Sequence, residues 1–425
     1  MIGTTTAALL AGLALSLPVG AVLVVLGVGI DLFYSPFPLI RGLGQVVWSA
    51  TNSSLLIAIP FFVLLGEILV RGGIAERTYR ALDVWLAWLP GGLVHANIAT
   101  ATMFSATSGS SVATAATIAT VAMPQAKTLG YDPRLFAGAI AAGGTLGIMI
   151  PPSINLIVYG FLTETSIPRL FLAGLVPGLL LALGFMAMSA LLCSLRPALG
   201  GPSRRASWPE RRRGLVDLVP IVLLFGVVVG SIYRGWATPT EAAAIGVAMA
   251  FVIALARGRL SAAAVMAALS STIRITAMIL FVIVGAYFLN YTLASAGLGN
   301  ALRELLADHT LGPYATLLLI VALYVVLGFF IETLSLMVAT IPIVVPIVAD
   351  LGFDKVWFGI LLILLIEMAL ITPPVGLNLY VVQGARRDGD LGEVMLGALP
   401  FVVVMAAMAA LLILVPGLAL WLPGG

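Results

Sequence analysis

The stretch GTLGIMIPPSINLIVYG (144–160) lies inside a run that otherwise has the composition of a membrane helix. Two adjacent prolines remove backbone donors and break a helix, so the stretch predicts two helical pieces joined by irregular backbone. A second stretch, LITPPVGLNLYVVQG (370–384), contains the same pair. Irregular backbone at membrane depth persists where protein or a polar cavity surrounds it. The two breaks therefore predict a buried polar site, with a packing kink as the alternative.

The composition indicates an all-α polytopic membrane protein. Of the 425 residues, 61% are hydrophobic and 9% are charged, whereas a soluble domain is about 25% charged. The first apolar run, 7–28, has no basic segment before it and no small-residue cleavage site, so we interpret it as a span rather than a signal peptide. One cysteine, Cys193, excludes an intrachain disulfide and a cysteine metal site. No nucleic-acid partner is expected.

The distribution of basic residues predicts the topology. Two apolar stretches, about 93–126 and 313–349, are interrupted in the middle, and we interpret each as a re-entrant hairpin that enters and leaves on one side. With a cytoplasmic N-terminus, this arrangement places 16 of the 21 Lys and Arg residues in the cytoplasm, as the positive-inside rule requires. It predicts a periplasmic C-terminus and nine full spans, near 7–28, 52–70, 135–161, 168–194, 215–232, 240–256, 273–291, 357–383 and 394–422.

An internal repeat is visible at an offset of 222 residues, where PQAKTLGYDPRLF (124–136) resembles PIVADLGFDKVWF (346–358). The same offset pairs the two Pro-Pro breaks. The predicted topology gives the repeats opposite orientations, which is the pattern of a secondary transporter. Each repeat would hold a span, an amphipathic segment (about 74–89 and 296–308), a hairpin, a broken span and a final span.

Four regions follow from the repeat. We expect an N-terminal scaffold span with a periplasmic connection (1–50) and a first repeat (51–195), with its hairpin at about 93–126 and its broken helix at about 135–161. A basic cytoplasmic linker with two scaffold spans (196–260) leads to the second repeat (261–425). In that repeat the hairpin covers about 313–349 and the broken helix about 357–383.

Polar residues cluster where each hairpin turns. The first turns at FSATSGSSVATAAT (104–117), where hydroxyl groups surround Gly109. Hydroxyl and carbonyl oxygens suit an alkali cation, and close helix packing by small residues is the alternative. The second turns at GFFIETLSLMVAT (328–340). An ionisable residue at membrane depth, here Glu332, is a functional candidate unless the tip is close enough to water to be solvated.

Three other features have local interpretations. Glu367, six residues before Pro373, either supports an ion site or bonds to a neighbouring helix. Glu67 lies near a span end and is expected to reach the membrane interface. In GSIYRGWATPTEAAA (230–244), Thr238 and Glu241 have the spacing of a capping box, so we interpret this motif as structural.

Five segments together resemble the large membrane subunit of tripartite ATP-independent periplasmic (TRAP) transporters: IPFF (59–62), FSATSGSSVAT, GTLGIMIPPSI, GSIYRGWATPTEAAA and EMALITPPVGLNLY. They occur in the family's order and cover nearly the whole chain. The resemblance implies a sodium-driven importer of an organic acid in the bacterial inner membrane that works as an elevator. The implied partners are a periplasmic substrate-binding protein and a small membrane subunit of about four spans, expected as a separate chain.

The resemblance also implies one sodium ion at each hairpin tip, against the broken helix of the same repeat. The first site would consist of Ser108, Gly109 and Ser110 with the backbone around Thr145 and Gly147. The second would consist of Thr333 and Ser335 with the backbone around Thr372 and Pro373. The substrate carboxylate is expected between the tips. Four further residues would steady the breaks or support the site: Ser111, Asn155, Glu332 and Asn378.

Two other function classes are open from the sequence. A single-component sodium- or proton-coupled dicarboxylate or anion transporter of similar inverted-repeat design would need no binding protein. A membrane-embedded enzyme would need a nucleophile–base pair or a metal cluster, and His95 and His309 have no suitable neighbour in the sequence, so no catalytic residue is predicted. The carboxylate is not specified, and C4-dicarboxylates, sialic acids and keto acids are all compatible with the sequence.

Overall fold

The structure is a computed structural model. It describes residues 5, 7–9, 11–12, 15, 17–35, 38–108, 110–202, 206–297, 312–386 and 389–424, and the side chains of the same residues except 50 and 105–108. Every regular element in this part of the chain is helical.

The first half contains α1 (Val19–Tyr34), α2 (Leu43–Thr51), α3 (Ala58–Arg71), α4 (Ile74–Leu86), α5 (Leu93–Ser108), α6 (Ser111–Leu129), α7 (Pro133–Met149), α8 (Ile154–Thr163) and α9 (Ile167–Leu195). The second half contains α10 (Trp208–Tyr233), α11 (Pro239–Ala256), α12 (Ala262–Ser295), α13 (Pro313–Gly328), α14 (Thr333–Asp350), α15 (Lys355–Ala369), α16 (Leu377–Arg386), α17 (Leu391–Leu414) and α18 (Gly417–Leu420).

Helix length and composition confirm an all-α polytopic membrane protein. Within the described ranges, six helices are long and apolar enough to cross a membrane, and eight spans result if each of two bent helix pairs counts as one. The predicted amphipathic segment at 74–89 is the separate helix α4, bent by 66° from α3. Its counterpart at 296–308 lies almost entirely outside the described residues.

The boundaries predicted for the first span, 7–28, are wrong. Pro18 stands at the N-cap of α1, which begins at Val19 and continues to Tyr34. Proline has no amide N–H and fits the start of a helix, not its interior. Asp31, in the last turn of this helix, binds the chain that follows: its two carboxylate oxygens accept hydrogen bonds from the backbone amides of Leu39 and Ile40, each at 2.8 Å.

Both interrupted stretches form helical hairpins, as predicted: α5 and α6 form hairpin one, and α13 and α14 form hairpin two. The polar tips begin the second helix of each hairpin. The Ser110 hydroxyl accepts from the amide of Ala113 at 3.3 Å and caps α6. The Glu332 carboxylate accepts from the amide of Ser335 at 3.1 Å and caps α14. Capping satisfies donors that a helix start leaves free.

Each Pro-Pro pair lies between two helices, as predicted, and is joined by a cis peptide bond. The first break separates α7 from α8, whose axes differ by 41°. The Ser153 hydroxyl accepts from the amide of Leu156 at 3.5 Å and starts α8. The second break separates α15 from α16. Across this second break, the backbone N–H of Asn378 donates to the backbone carbonyl of Leu370 at 3.2 Å.

The hairpins and the broken helices exchange contacts in a reciprocal way. Hairpin one packs on α7, and its second helix α6 also contacts α16. Hairpin two packs on α15, and its second helix α14 also contacts α8. Each hairpin therefore contacts the first half of its own broken helix and the second half of the other. Around them α1 pairs with α12, α3 with α11 and α12, and α4 with α10.

Candidate substrate and ion site

A cavity of about 370 Å³ lies where the two hairpin tips face each other. Hairpin one contributes Ser110 and Ser111, hairpin two contributes Glu332 and Leu334, and α8 contributes Asn155. Helices α3 and α12 close the opposite side, with Val63, Gly66, Glu67, Val70, Ile275, Met278 and Ile279. The volume is in the range of small-molecule sites. The arrangement therefore brings both polar tips and one helix break to a single space.

A larger cavity, of about 610 Å³, lies between the end of α6 and the end of α16, with Lys127 and Arg386 in its lining. Its described lining contains none of the predicted site residues and neither Pro-Pro pair. We therefore place the candidate site at the smaller cavity.

Of the described residues of the first predicted sodium site, Ser110 and Gly147 lie close together. A methyl group added at Gly147 would lie 3.5 Å from the Ser110 carbonyl oxygen and 3.1 Å from the Thr114 hydroxyl oxygen. Thr145 is buried, and its hydroxyl donates to the Ala142 carbonyl of its own helix at 2.7 Å. The Ser108 side chain and Gly109 lie outside the described residues, so their part in the site stays a prediction.

Two predicted ligands of the second sodium site, Thr333 and Thr372, donate their hydroxyl hydrogens to protein oxygens. The buried Thr333 hydroxyl donates to Glu367 Oε1 at 3.2 Å. The Thr372 hydroxyl donates to the Met368 carbonyl at 2.6 Å. No hydrogen bond between described residues joins Thr333 or Ser335 to Thr372.

Backbone packing nevertheless brings hairpin two close to the second break. An added methyl group at Gly328, where α13 ends, would lie 2.5 Å from Ala369 Cβ. Ala369 is the last residue of α15. The hairpin tip therefore lies against the end of the helix that precedes Pro373.

The two asparagines predicted to steady the breaks differ in their surroundings. The Asn378 side chain donates through Nδ2 to the Ala141 carbonyl of α7 at 3.2 Å, and so ties the second broken helix to the first. Asn155 is buried at the cavity, and its Nδ2 has no hydrogen-bond partner among the described residues. Asn155 is therefore available to a ligand, whereas Asn378 holds two elements together.

The α3 and α12 side of the cavity is absent from the sequence predictions. Glu67, expected at the membrane interface, lies near the end of α3 and also lines the cavity. Its carboxylate binds Arg71 at 2.8 Å and accepts from the Ser271 hydroxyl at 2.6 Å. The signal in the sequence is the acidic residue inside an apolar run, with a basic residue four positions later.

Both charged side chains in the described lining of the cavity are acidic, and one of them, Glu67, is ion-paired with Arg71. Its described lining contains Glu67 and Glu332 and no Lys or Arg. An anion entering this space would meet Glu332 and the Glu67–Arg71 ion pair, so a cation bound beside it would favour its binding.

Residues 6–418 match the family model for the tripartite ATP-independent periplasmic transporter, DctM component. The chain belongs to this family. It is 33% identical over 395 residues to the C4-dicarboxylate TRAP transporter large permease protein DctM of Pseudomonas aeruginosa, which covers 92% of this chain and 91% of that protein. It is also 33% identical over 388 residues to the sialic acid TRAP transporter large permease protein SiaM of Vibrio cholerae, with 89% and 88% coverage.

Membership in the DctM family confirms the resemblance found in the sequence, and the relatives are permeases rather than enzymes. A solved structure, the YdaH transporter of Alcanivorax borkumensis, has a similar fold. It superposes with a TM-score of 0.65 at 16% identity, covering 95% of this chain and 98% of that one. At this identity the likeness concerns the fold alone.

Proposed function

We propose that this DctM-family chain is the permease of a sodium-coupled importer, which moves an organic acid across the inner membrane. The observation that carries the proposal is the cavity between the two hairpin tips. It combines hydroxyls, capped helix starts and a helix break in one buried space. Such features supply the oxygen and amide groups that bind small ions and carboxylates in transporters.

The charge of the cavity supports coupling to a cation. A carboxylate substrate would face Glu67 and Glu332 without a basic residue in the described lining. Sodium at the hairpin tips would supply the missing positive charge, so substrate and sodium would each favour binding of the other. The membrane potential would then help to drive uptake, because each net positive charge that moves inward through 100 mV contributes about 2.3 kcal/mol.

The reciprocal contacts support two inverted repeats and an elevator motion. Because each hairpin touches both broken helices, these elements can move as one body that carries the hairpin side of the cavity. Helices α3, α11 and α12 would belong to the stationary scaffold. The four predicted regions, with boundaries at 50, 195 and 260, follow the repeats instead, and place α3 in the first repeat and α12 in the second. The N-terminus would be cytoplasmic and the C-terminus periplasmic.

The substrate class follows from the relatives and the size of the site. The relatives are named for a C4-dicarboxylate and for sialic acid, both organic acids. The cavity of about 370 Å³ suits a small carboxylate. We propose that a periplasmic binding protein delivers this acid and that a small membrane subunit completes the transporter.

Uptake into proteoliposomes tests the proposal. The vesicles would contain this chain and its small subunit, with the binding protein outside, and the acid that the binding protein retains would serve as substrate. We expect uptake to require an inward sodium gradient and the binding protein. The double substitution Ser110→Ala with Thr333→Ala should abolish it, whereas Thr128→Ala, on an exposed part of α6, should leave it unchanged. Uptake indifferent to sodium, or undiminished without the binding protein, would contradict the proposal.

A further inference from the structure

Glu367 is a buried carboxylate that the site described above does not use. Of the described Asp and Glu residues, Asp31 and Glu367 are buried. Both oxygens of Asp31 accept backbone hydrogen bonds, so its burial is compensated locally. Glu367 is 1% exposed and lies in the last turns of α15, just before the second break.

The Glu367 carboxylate is incompletely satisfied within the described part of the chain. Oε1 accepts from the Thr333 hydroxyl at 3.2 Å, whereas Oε2 has no hydrogen-bond partner there. None of the ion pairs between described residues includes Glu367. A buried carboxylate without a partner is strongly unfavourable, and a nearby cation offsets that cost.

The position of Glu367 joins the two hairpins. Thr333 is the first residue of α14 in hairpin two. The Ser111 side chain, at the start of α6 in hairpin one, lies close to the same carboxyl group, and Glu332 is the neighbouring acidic group. Ser111 follows Ser110 of the first predicted sodium site, and Thr333 belongs to the second. One carboxyl group is therefore adjacent to residues of both tips.

We propose that Glu367 is a positioning residue and the shared counter-charge of the two sodium sites. This inference rests on the proposed sodium coupling. The carboxylate would attract a cation to each tip through the low-dielectric interior, while the Thr333 hydroxyl, having donated its hydrogen to Oε1, keeps its lone pairs for an ion. Loss of the charge would weaken sodium binding at both tips without removing a substrate contact.

Sodium titration of uptake tests this role. Glu367→Gln keeps an oxygen that accepts from Thr333 but removes the charge. We expect the half-saturating sodium concentration to rise about tenfold or more, while the maximal rate and the KM for substrate at saturating sodium stay within about twofold. Glu367→Asp, which keeps the charge, should lie closer to the wild type. Glu76→Gln on the surface helix α4 is the matched control and should match the wild type.

The outcomes separate the inference from the proposed function. A sodium-dependent wild type with an unchanged titration in Glu367→Gln would overturn the counter-charge and leave sodium coupling standing. An equal loss of rate at every sodium concentration would also overturn it, because that is the result of a structural defect. A wild type without sodium dependence would overturn both. If Glu367→Gln aggregates, Glu367→Met, of similar volume, takes its place; aggregation of both neutral variants would assign Glu367 to folding instead.

Discussion

At Gly144 the first broken helix meets hairpin one and the second broken helix at once. A methyl group added there would lie 2.9 Å from Ala115 Cβ, 2.9 Å from the Ser111 carbonyl oxygen and 3.3 Å from Asn378 Nδ2. Two of these neighbours belong to backbone or to a short side chain that cannot rotate away. Gly144→Ala should therefore lower the free energy of unfolding by about 1–3 kcal/mol, as overpacking does, and should reduce uptake.

Thermal unfolding of the purified chain in detergent measures the first effect, and the proteoliposome assay measures the second. Gly226→Ala is the matched control. Gly226 lies in the middle of α10, and an added methyl group there would have no neighbour within 4 Å. It should leave stability unchanged or slightly improved, since alanine favours helix over glycine. If Gly144→Ala were as stable as the wild type, hairpin one would not pack on α7 as described.

Helix starts and helix breaks are the elements that the sequence predicts best. The capping box at Thr238 is confirmed: its hydroxyl accepts from the Glu241 amide at 3.3 Å, and its own amide donates to the Glu241 carboxylate at 2.8 Å. Both Pro-Pro breaks are also confirmed, because their cause lies within a few residues. The partner of Asn378 is not predictable in this way, because Ala141 is 237 residues away in the chain.

The hydrogen bond from the Asn378 side chain to the Ala141 carbonyl connects the two broken helices, and we expect its loss to affect both stability and transport. Asn378→Ala removes the donor that holds α16 against α7. Hydrogen bonds between membrane helices contribute about 1 kcal/mol, so we expect a loss of that size in unfolding free energy. We also expect a larger relative loss of uptake, since the break would be less well fixed. Thermal unfolding and uptake measured on one preparation check both.

Asn290→Ala is the control for this substitution, since Asn290 is exposed on α12. It should change neither quantity. If Asn378→Ala kept full uptake, the bond between the broken helices would be a packing detail without a role in transport.

On the scale of the whole molecule, the sequence predicts the membrane class and the two hairpins but not the walls of the site. Gly66 and Ile279 line the cavity, yet each lies in an apolar run. Such a run has the same composition whether it faces lipid, another helix or a ligand. Tertiary packing decides among these surroundings. The same limit applies to Glu367, whose place between both hairpin tips depends on contacts that are far apart in the chain.

The arrangement of the cavity predicts which side of the membrane it faces. The cavity is lined by Glu67 and Val70 at the end of α3, beside Arg71, and by Ile275 near Arg274 of α12. Basic residues mark the cytoplasmic ends of membrane helices. We therefore expect the cavity to open to the cytoplasm. A single cysteine at Ala113, an exposed residue of the lining, should react with a membrane-impermeant thiol reagent in inside-out vesicles and stay unlabelled in right-side-out vesicles.

The background for this experiment is Cys193→Ala, which removes the one native cysteine. Ser49→Cys serves as the control for the opposite side. Ser49 lines another cavity, of about 390 Å³, together with Glu164 beyond the end of α8, and the predicted topology places both in the periplasm. It should react in right-side-out vesicles only. Reaction of Ser49→Cys in inside-out vesicles, from the cytoplasmic side, would contradict the predicted topology and with it the inverted arrangement of the hairpins. Reaction of Ala113→Cys from the periplasm, with Ser49→Cys as expected, would keep the topology but reverse the direction in which the cavity opens.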